Sequence, residues 1–510
     1  MNVNKIKKLV ILMTCCLNLT ACDNLLDVDS YHVASEDKQW TSLDQNRGAL
    51  MGVYGLTRAA LAEGNTHWLC GELRGGDFTA YNRDDLDGII RSELKGPYDL
   101  LKNVSNWSRF YKAINAANLF IEKAPGVVKH DKAYSEATLL KDVSQARALR
   151  AFLYFYMARI YGDVPLVLQS YDNGSFPKME RTSVETVLGY AEGELLEVVN
   201  TLPLVYGSDS DLYYEGDRSA WSGKLITRFS AYAILAHIAA WRGNYVDVAI
   251  YTDYIISQAG GTDCPNYTST TNLVSAEGVF ATKTADLGIN RIVGFNFMGA
   301  EAEATVDGHI ESLTLAEPYI RKPYPEIYVT KDRLRSIFSE IGDGRYKVDG
   351  DTAVYVDNAN SEIPIFSKIK VVQDGTGTGH YAVYGSSILF SRLEDICLLR
   401  AEALAVLRRG TDAVSDLNRV RTSRGLTGLN FIVNMGGDYE KLIHAVFEER
   451  RKELMGEGWR WYDLIREQRL LNCYPKIGEM ISNGRIYWPI ADDVLEANDK
   501  LVQNEYWKDK

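Results

Sequence analysis

Apolar residues recur every three or four positions along most of the chain, and one long interior stretch loses that period. The period predicts helices at about 43–62, 107–123, 137–160, 184–201, 225–241, 246–258, 390–408, 411–422 and 438–455. From about 260 to 390 the composition shifts to Gly, Thr, Asn and Asp, with short β-like runs at 292–297 and 365–372. Loops and short strands are expected there.

Two of the helical regions are built alike. In residues 235–249 an alanine-rich helix (Ala236, Ala239, Ala240) meets Gly243, and a second helix opens with Tyr245 and Ala249. Residues 398–413 repeat the arrangement with Ala401, Ala403, Ala405, Gly410 and Ala413. Small residues let the second helix approach the first, and the glycine is expected to end the first helix by taking a left-handed cap. The pairs lie far apart in sequence, which predicts a mainly α fold: an irregular TPR-like scaffold with a long insertion at about 260–390, not an open solenoid. No Pro/Ser-rich linker marks a boundary, so residues 22–510 are read as one domain.

The first residues have a different character. Lys5, Lys7 and Lys8 precede a mostly apolar run from Leu9 to Leu19, which ends in Leu19-Thr20-Ala21-Cys22. A basic start, an apolar run too short to span a bilayer and small residues before a cysteine read as a lipoprotein signal peptide over 1–21. Cys22 would then carry the acyl chains. At about 0.8 kcal/mol per buried CH₂, several chains make a durable anchor where one would not.

Charge and cysteines narrow the function classes. The formal net charge is −12, and loss of the three lysines of residues 1–21 would leave −12 − 3 = −15. So acidic a chain argues against nucleic acid and against docking on anionic lipid, and leaves an uncharged ligand unhindered. Cys70, Cys264, Cys397 and Cys473 are scattered, with no C-x-x-C and no metal spacing, so neither a disulfide framework nor a metal site is expected. Cys397 lies in an apolar helical pattern and reads as a buried free thiol.

Several motifs resemble the SusD/RagB family along almost the whole chain. They begin with Asn46–Tyr54 and with Trp107, Tyr111, Ile114 and Asn118. Ala146–Phe155 is followed by Tyr161-Gly162-Asp163-Val164-Pro165-Leu166. The C-terminal third adds Arg392–Ala403, then Asp416–Arg421 with Arg424-Gly425, then Glu448–Arg466, and finally Trp488-Pro489-Ile490 and Gln503-Asn504. The resemblance implies a mainly helical body with four TPR-like helix pairs, tethered to the outer membrane through acylated Cys22. It also implies a partner, a SusC-like TonB-dependent β-barrel transporter, to which the body hands its ligand.

Signs of catalysis are weak. The seven histidines are scattered, with no H-E-x-x-H, and there is no G-x-S-x-G. Glu449, Glu453 and Glu457 share a helix face with Arg450 near by, which reads as an internally paired or solvated face rather than acid–base machinery. Arg460-Trp461-Tyr462-Asp463 reads as a packing corner. Asp84-Asp85-Leu86-Asp87-Gly88 faintly resembles a calcium loop but lacks its first and twelfth ligands. Residues 375–379 are glycine-rich without a following helix and read as a loop tip. No catalytic residue, metal or cofactor is expected.

A sugar ring stacks its C–H face on aromatics while its hydroxyls take planar polar side chains. That combination is densest in the loop-rich segment 64–100, where Trp68, Asp77, Tyr81, Asn82, Arg83 and Tyr98 are the candidate ligand contacts. Tyr213 and Tyr214 are a second source, and Tyr319, Tyr324 and Tyr328 a third. The expected function is capture of an oligosaccharide for a TonB-dependent transporter; peptide capture by the same kind of lipoprotein and a surface glycosidase are the alternatives.

Overall fold

The computed structural model describes residues 39–171, 176–207, 214, 221–281, 285–297, 305, 308–350, 352–374, 382–508 and 510. Cys22, Tyr213 and the 375–379 glycine run lie outside the described residues.

Eight helices pack as consecutive pairs: α1 (Leu43–Ala62) with α2 (Ser108–Val127), α3 (Glu136–Tyr161) with α4 (Val184–Val198), α5 (Arg228–Arg242) with α6 (Tyr245–Ile256), and α7 (Leu393–Val406) with α8 (Gly410–Ser423). Each pair also stacks on the next, through α2 on α3, α4 on α5 and α6 on α7, so one apolar cluster runs from Leu50 to Trp507. Two more helices follow: α9 (Tyr439–Glu453) packs on α7 and α8, and α10 (Arg460–Leu471) packs on α9. This is the TPR-like arrangement expected from the alanine-rich pairs.

Local chemistry sets the helix ends. Ser42, Ser135 and Ser183 accept from the backbone N–H three residues on, and Thr227 forms a reciprocal capping box with Ser230. The glycine caps divide. Gly243 takes the left-handed cap at φ +79°. Gly410 does not: Arg408 makes the turn at φ +62°, and Gly410 begins α8. Its smallness serves packing instead, since a Cβ there would lie 2.5 Å from the Phe431 ring.

Helix α3 is the axis of the fold. From Ala148 to Tyr161 every residue is buried, as befits a helix covered on all sides, and Phe152 meets Phe295 and Phe390 at 5.2 and 5.0 Å. Those two partners sit on β2 (Val293–Phe295) and β8 (Ile388–Ser391), which pair antiparallel where the 260–390 insertion returns to the helices. The described strands are short. They form β1 (Thr79–Ala80) with β3 (Ile327–Tyr328), β4 (Val356–Asp357) with β5 (Ile365–Phe366), and β6 (Val372–Asp374) with β7 (Val383–Tyr384).

The segment read as loop at 64–100 is more regular than its composition suggests. It contains helices Thr66–Gly71 and Asp84–Ile90, and a further helix, Asp99–Ser105, begins at its end. Asp84, Asp85 and Asp87 therefore occupy the first turn of a helix, where its dipole favours carboxylates, and are not arranged as a calcium loop.

Candidate functional site

The pairing of β1 with β3 brings two distant loops together. Thr79 faces Tyr328, Ala80 faces Ile327, and the Tyr81 N–H donates to the Glu326 carbonyl at 2.8 Å. Just beyond the ladder the Tyr81 ring stands 5.1 Å from that of Tyr324, tilted by 52°, and Tyr324 is 50 % exposed. Asn82 follows, exposed and in the left-handed region at φ +53°, which asparagine tolerates better than most residues.

The charges beside this pair are locked together. Arg83 donates a fork to Asp85 at 2.8 and 2.7 Å and also meets Glu326. Lys322 donates to Glu326 and to the Ser312 carbonyl, both at 2.8 Å. The hydrogen bonds that Arg83 donates to Asp85 raise its pKa against the pull of burial. Burial alone would raise Asp85, but the Arg83 hydrogen bonds and charge overcome it and lower the carboxyl. The result is an open face with two aromatic rings, an exposed amide and fixed, mutually compensated charges.

Three candidates from the sequence do not face solvent. Trp68 is only 2 % exposed: its helix is packed inside the molecule, with His67 at 5.3 Å and His309 at 6.4 Å, so the ring is core and offers no stacking surface. Asp77 is 3 % exposed and held by Arg451 at 2.9 Å and Arg460 at 3.4 Å, so its carboxylate is already committed. Tyr214 is likewise buried, its hydroxyl 3.0 Å from Asp142.

Tyr98 is exposed but separate. It precedes the Asp99–Ser105 helix and packs beside Gly96, and among the described residues no ring contact joins it to Tyr81. Tyr319 is half-buried; its hydroxyl donates to Asp357 and Lys370 sits 5.6 Å over its ring, tying the 316–322 turn to β4. The structure thus gathers Tyr81, Asn82 and Arg83 with Tyr324, and scatters the rest. Glu326 and Lys322 complete the face, and nothing in their local sequence could have nominated them, because the β1–β3 pairing alone places them there.

The glutamate row at 449–457 is internally paired, not solvated. Glu453 accepts from Arg392 at 2.8 Å, Arg424 at 2.7 and 2.9 Å, and Arg345 at 3.2 Å. Glu457 meets Arg392 and the buried Lys368, the latter at 2.6 Å, and Glu449 meets Arg345 at 2.7 Å. Burial would push Glu453 up, yet Arg424 and Arg392 hold it well below the usual carboxylate range. A carboxylate so held neither takes nor gives a proton near neutrality. Arg460–Asp463 open α10 as a packing corner, with Trp461 under Arg74 at 4.2 Å and Asp463 bonded to Arg450 at 3.0 Å.

Two open clefts occur elsewhere among the described residues. One, of about 540 Å³, is lined by Lys95, Lys102, Asn103, Lys112 and Asp493 among others; another, of about 390 Å³, lies between α6, α7 and α8. None of the sequence candidates lines either cleft. Within the described residues no group of three or more His, Cys, Asp or Glu side chains could hold a metal ion.

Comparison with known proteins agrees with this architecture. The sequence profile of the SusD family matches residues 324–485, and a profile described as starch-binding associating with outer membrane matches 80–238. A SusD superfamily protein from Bacteroides thetaiotaomicron, known from its crystal structure, is 52 % identical, with 92 % of this chain and 100 % of that one covered at a TM-score of 0.86. The chain belongs to the SusD family. Among other SusD relatives, SusD-like protein P38 of Formosa agariphila is 24 % identical over 95 % of this chain and 96 % of its own. A solved SusD-like protein described as laminarin-binding shares the fold, with a TM-score of 0.69 at 21 % identity and 91 % and 99 % of the two chains covered.

Proposed function

We propose that this SusD-family chain is a non-catalytic glycan-capture lipoprotein of the outer membrane, anchored through Cys22 and delivering its cargo to a SusC-like TonB-dependent β-barrel. The observation that carries the glycan reading is the Tyr81–Tyr324 ring pair beside Asn82 and Arg83. Stacked C–H faces would rest on the rings, while the amide and the guanidinium fix hydroxyl positions. Arg83 and Lys322 are each matched by Asp85 or Glu326, which suits an uncharged saccharide better than a uronate or a sulfate ester. The family profile described as starch-binding and a laminarin-binding structural relative support the same ligand class.

Calorimetry with soluble α-glucans, laminarin and other neutral oligosaccharides tests this. Binding is expected for at least one of them, with Kd raised roughly fivefold in Tyr324→Ala, since one such ring contact contributes about 1 kcal/mol. No heat with any neutral glycan, or equal affinity in Tyr324→Ala, would remove the proposed face. The anchor is tested separately: Cys22→Ala is expected to move the protein from the membrane fraction into the soluble one.

A further inference from the structure

Glu311 is fully buried on the short helix Glu311–Thr314, and its carboxyl meets neutral donors only: the Ser386 hydroxyl at 2.8 Å and the Val371 N–H at 3.2 Å. The same hydroxyl lies 3.0 Å from Nδ1 of His309, so it bridges a carboxyl and an imidazole. Burial keeps that imidazole neutral by pushing its pKa down to about 4, and the charge of Arg58 on α1 acts in the same direction. The other ionisable neighbours are committed elsewhere. Lys322 donates to the Ser312 carbonyl and to Glu326, each at 2.8 Å, and Arg58 donates to the Asn296 carbonyl. Lys370, next to Val371, lies over the Tyr319 ring and feels Asp357, and β7 presents only the Tyr384 phenol, itself pushed up to about 12. Among the described residues Glu311 therefore makes no ion pair, and burial raises its pKa to about 7.

This helix also carries the loop that bears Tyr324. The Leu313 carbonyl accepts from the Glu326 N–H at 2.7 Å, and the Glu326 carbonyl accepts in turn from the Tyr81 N–H at 2.8 Å. Together with the Lys322 bond to the Ser312 carbonyl, these contacts run from the residues just after Glu311, through 322–326, to the end of β1. Residues 317, 318, 321, 323 and 324 are exposed, so water stands on the outer side of this turn. A carboxylate ionised in an apolar interior without a cation is costly, and opening towards water relieves that cost.

We propose that Glu311 is a proton-operated latch on the Tyr81–Tyr324 face: with the carboxyl neutral the 322–326 loop is docked, and loss of its proton releases the loop and separates the two rings. The latch rests on the reading of that ring pair as the ligand face, and adds that the face loosens as the medium turns alkaline. The docked form binds the proton more tightly than the open one. Its stability is therefore complete below about pH 4.5, falls as pH rises, and levels off above about 7.

Hydrogen exchange on the full mature chain, without ligand and with each rate corrected for its intrinsic pH dependence, tests the latch. Between about pH 5.5 and 8.5 the protection of the Glu326 and Tyr81 amides is expected to fall roughly thirtyfold in the natural protein. It should stay level in Glu311→Gln, which keeps the shape and cannot ionise. In Ser386→Ala, which strips a donor from the carboxylate, the fall should continue to higher pH before it levels. Equal pH profiles in the natural protein and Glu311→Gln would overturn the proposal, and so would a loss of protection that stops at 309–315 and leaves Glu326 and Tyr81 unchanged. Calorimetry at the same two pH values separates the latch from the ligand reading. A neutral glycan that binds should show a larger Kd at the higher pH in the natural protein alone; no heat with any glycan, beside the expected exchange, would discard the glycan reading and support the latch.

Discussion

The helix run from Glu449 to Asp463 and the paired loops around Tyr81 and Tyr324 both gather charges and aromatics, and they use them in opposite ways. In the first, Glu453 and Glu457 are buried and fully met by Arg345, Lys368, Arg392 and Arg424, so the ions hold helix to helix. In the second, Arg83 and Glu326 sit at the surface, and their mutual contact leaves Tyr324 and Asn82 facing solvent. A dense motif of ionisable residues here marks scaffold; the sparse one marks the proposed ligand face.

The largest effect should come from breaking the buried network. Glu453→Gln leaves three arginines without their shared carboxylate, which is expected to cost about 3–5 kcal/mol of stability in urea unfolding. A loss under ~1 kcal/mol would mean that the network does not hold the scaffold. Trp68→Ala should cost a similar ~3–5 kcal/mol because it empties a core position, whereas a ligand-stacking tryptophan would lower affinity and leave stability alone.

A pH titration sharpens the comparison on a different group. Glu311 is buried, accepting from Ser386 at 2.8 Å and from the Val371 N–H at 3.2 Å, and burial pushes its pKa up to about 7. The folded value lies above the ordinary one of 4.5, so the fold favours the protonated acid. Its contribution is complete below about pH 4.5 and is lost as pH rises through about 7. Glu311→Gln does not titrate. The stability of the natural protein relative to this variant should therefore fall by about 3 kcal/mol between pH 4.5 and 8. His309, lowered by burial to about 4, titrates in both proteins and cancels to first order. A pH-independent difference would contradict the buried, uncompensated placement of Glu311.

The smallest expected change is in the stability of Tyr324→Ala, within about 0.5 kcal/mol of the natural protein, because the ring is half-exposed and outside the core. A larger loss would make Tyr324 a packing residue and dissolve the contrast between the two regions.

Much of the scaffold was legible because helix pairing depends on local signals. The apolar period and the alanines of α5 and α7 announce both the helices and their close approach. Gly410 shows the limit of such signals: its smallness was visible, but its partner, Phe431, lies on the following turn and helix and revealed itself only in three dimensions. Helix α10 is hard to read from sequence because Arg460–Asp463 carries too many polar residues to look like a buried helix; its Arg466 is met by Glu402 on α7, and its Asp463 accepts from Arg450 on α9. Trp68 looked like a loop aromatic since the rings that cover it include His309, far along the chain. Tyr81, Asn82 and Arg83 could be nominated singly, but their assembly with Tyr324 needed a two-residue ladder that no periodicity announces.

The central claim is that the chain holds a glycan without changing it. The direct measurement is to incubate the purified protein with the neutral oligosaccharide that calorimetry identifies, separate the complex, release the ligand and determine its length. Full-length ligand recovered in proportion to occupied Tyr81–Tyr324 sites is the predicted result; shortened chains, produced at a rate that scales with protein concentration, would contradict it.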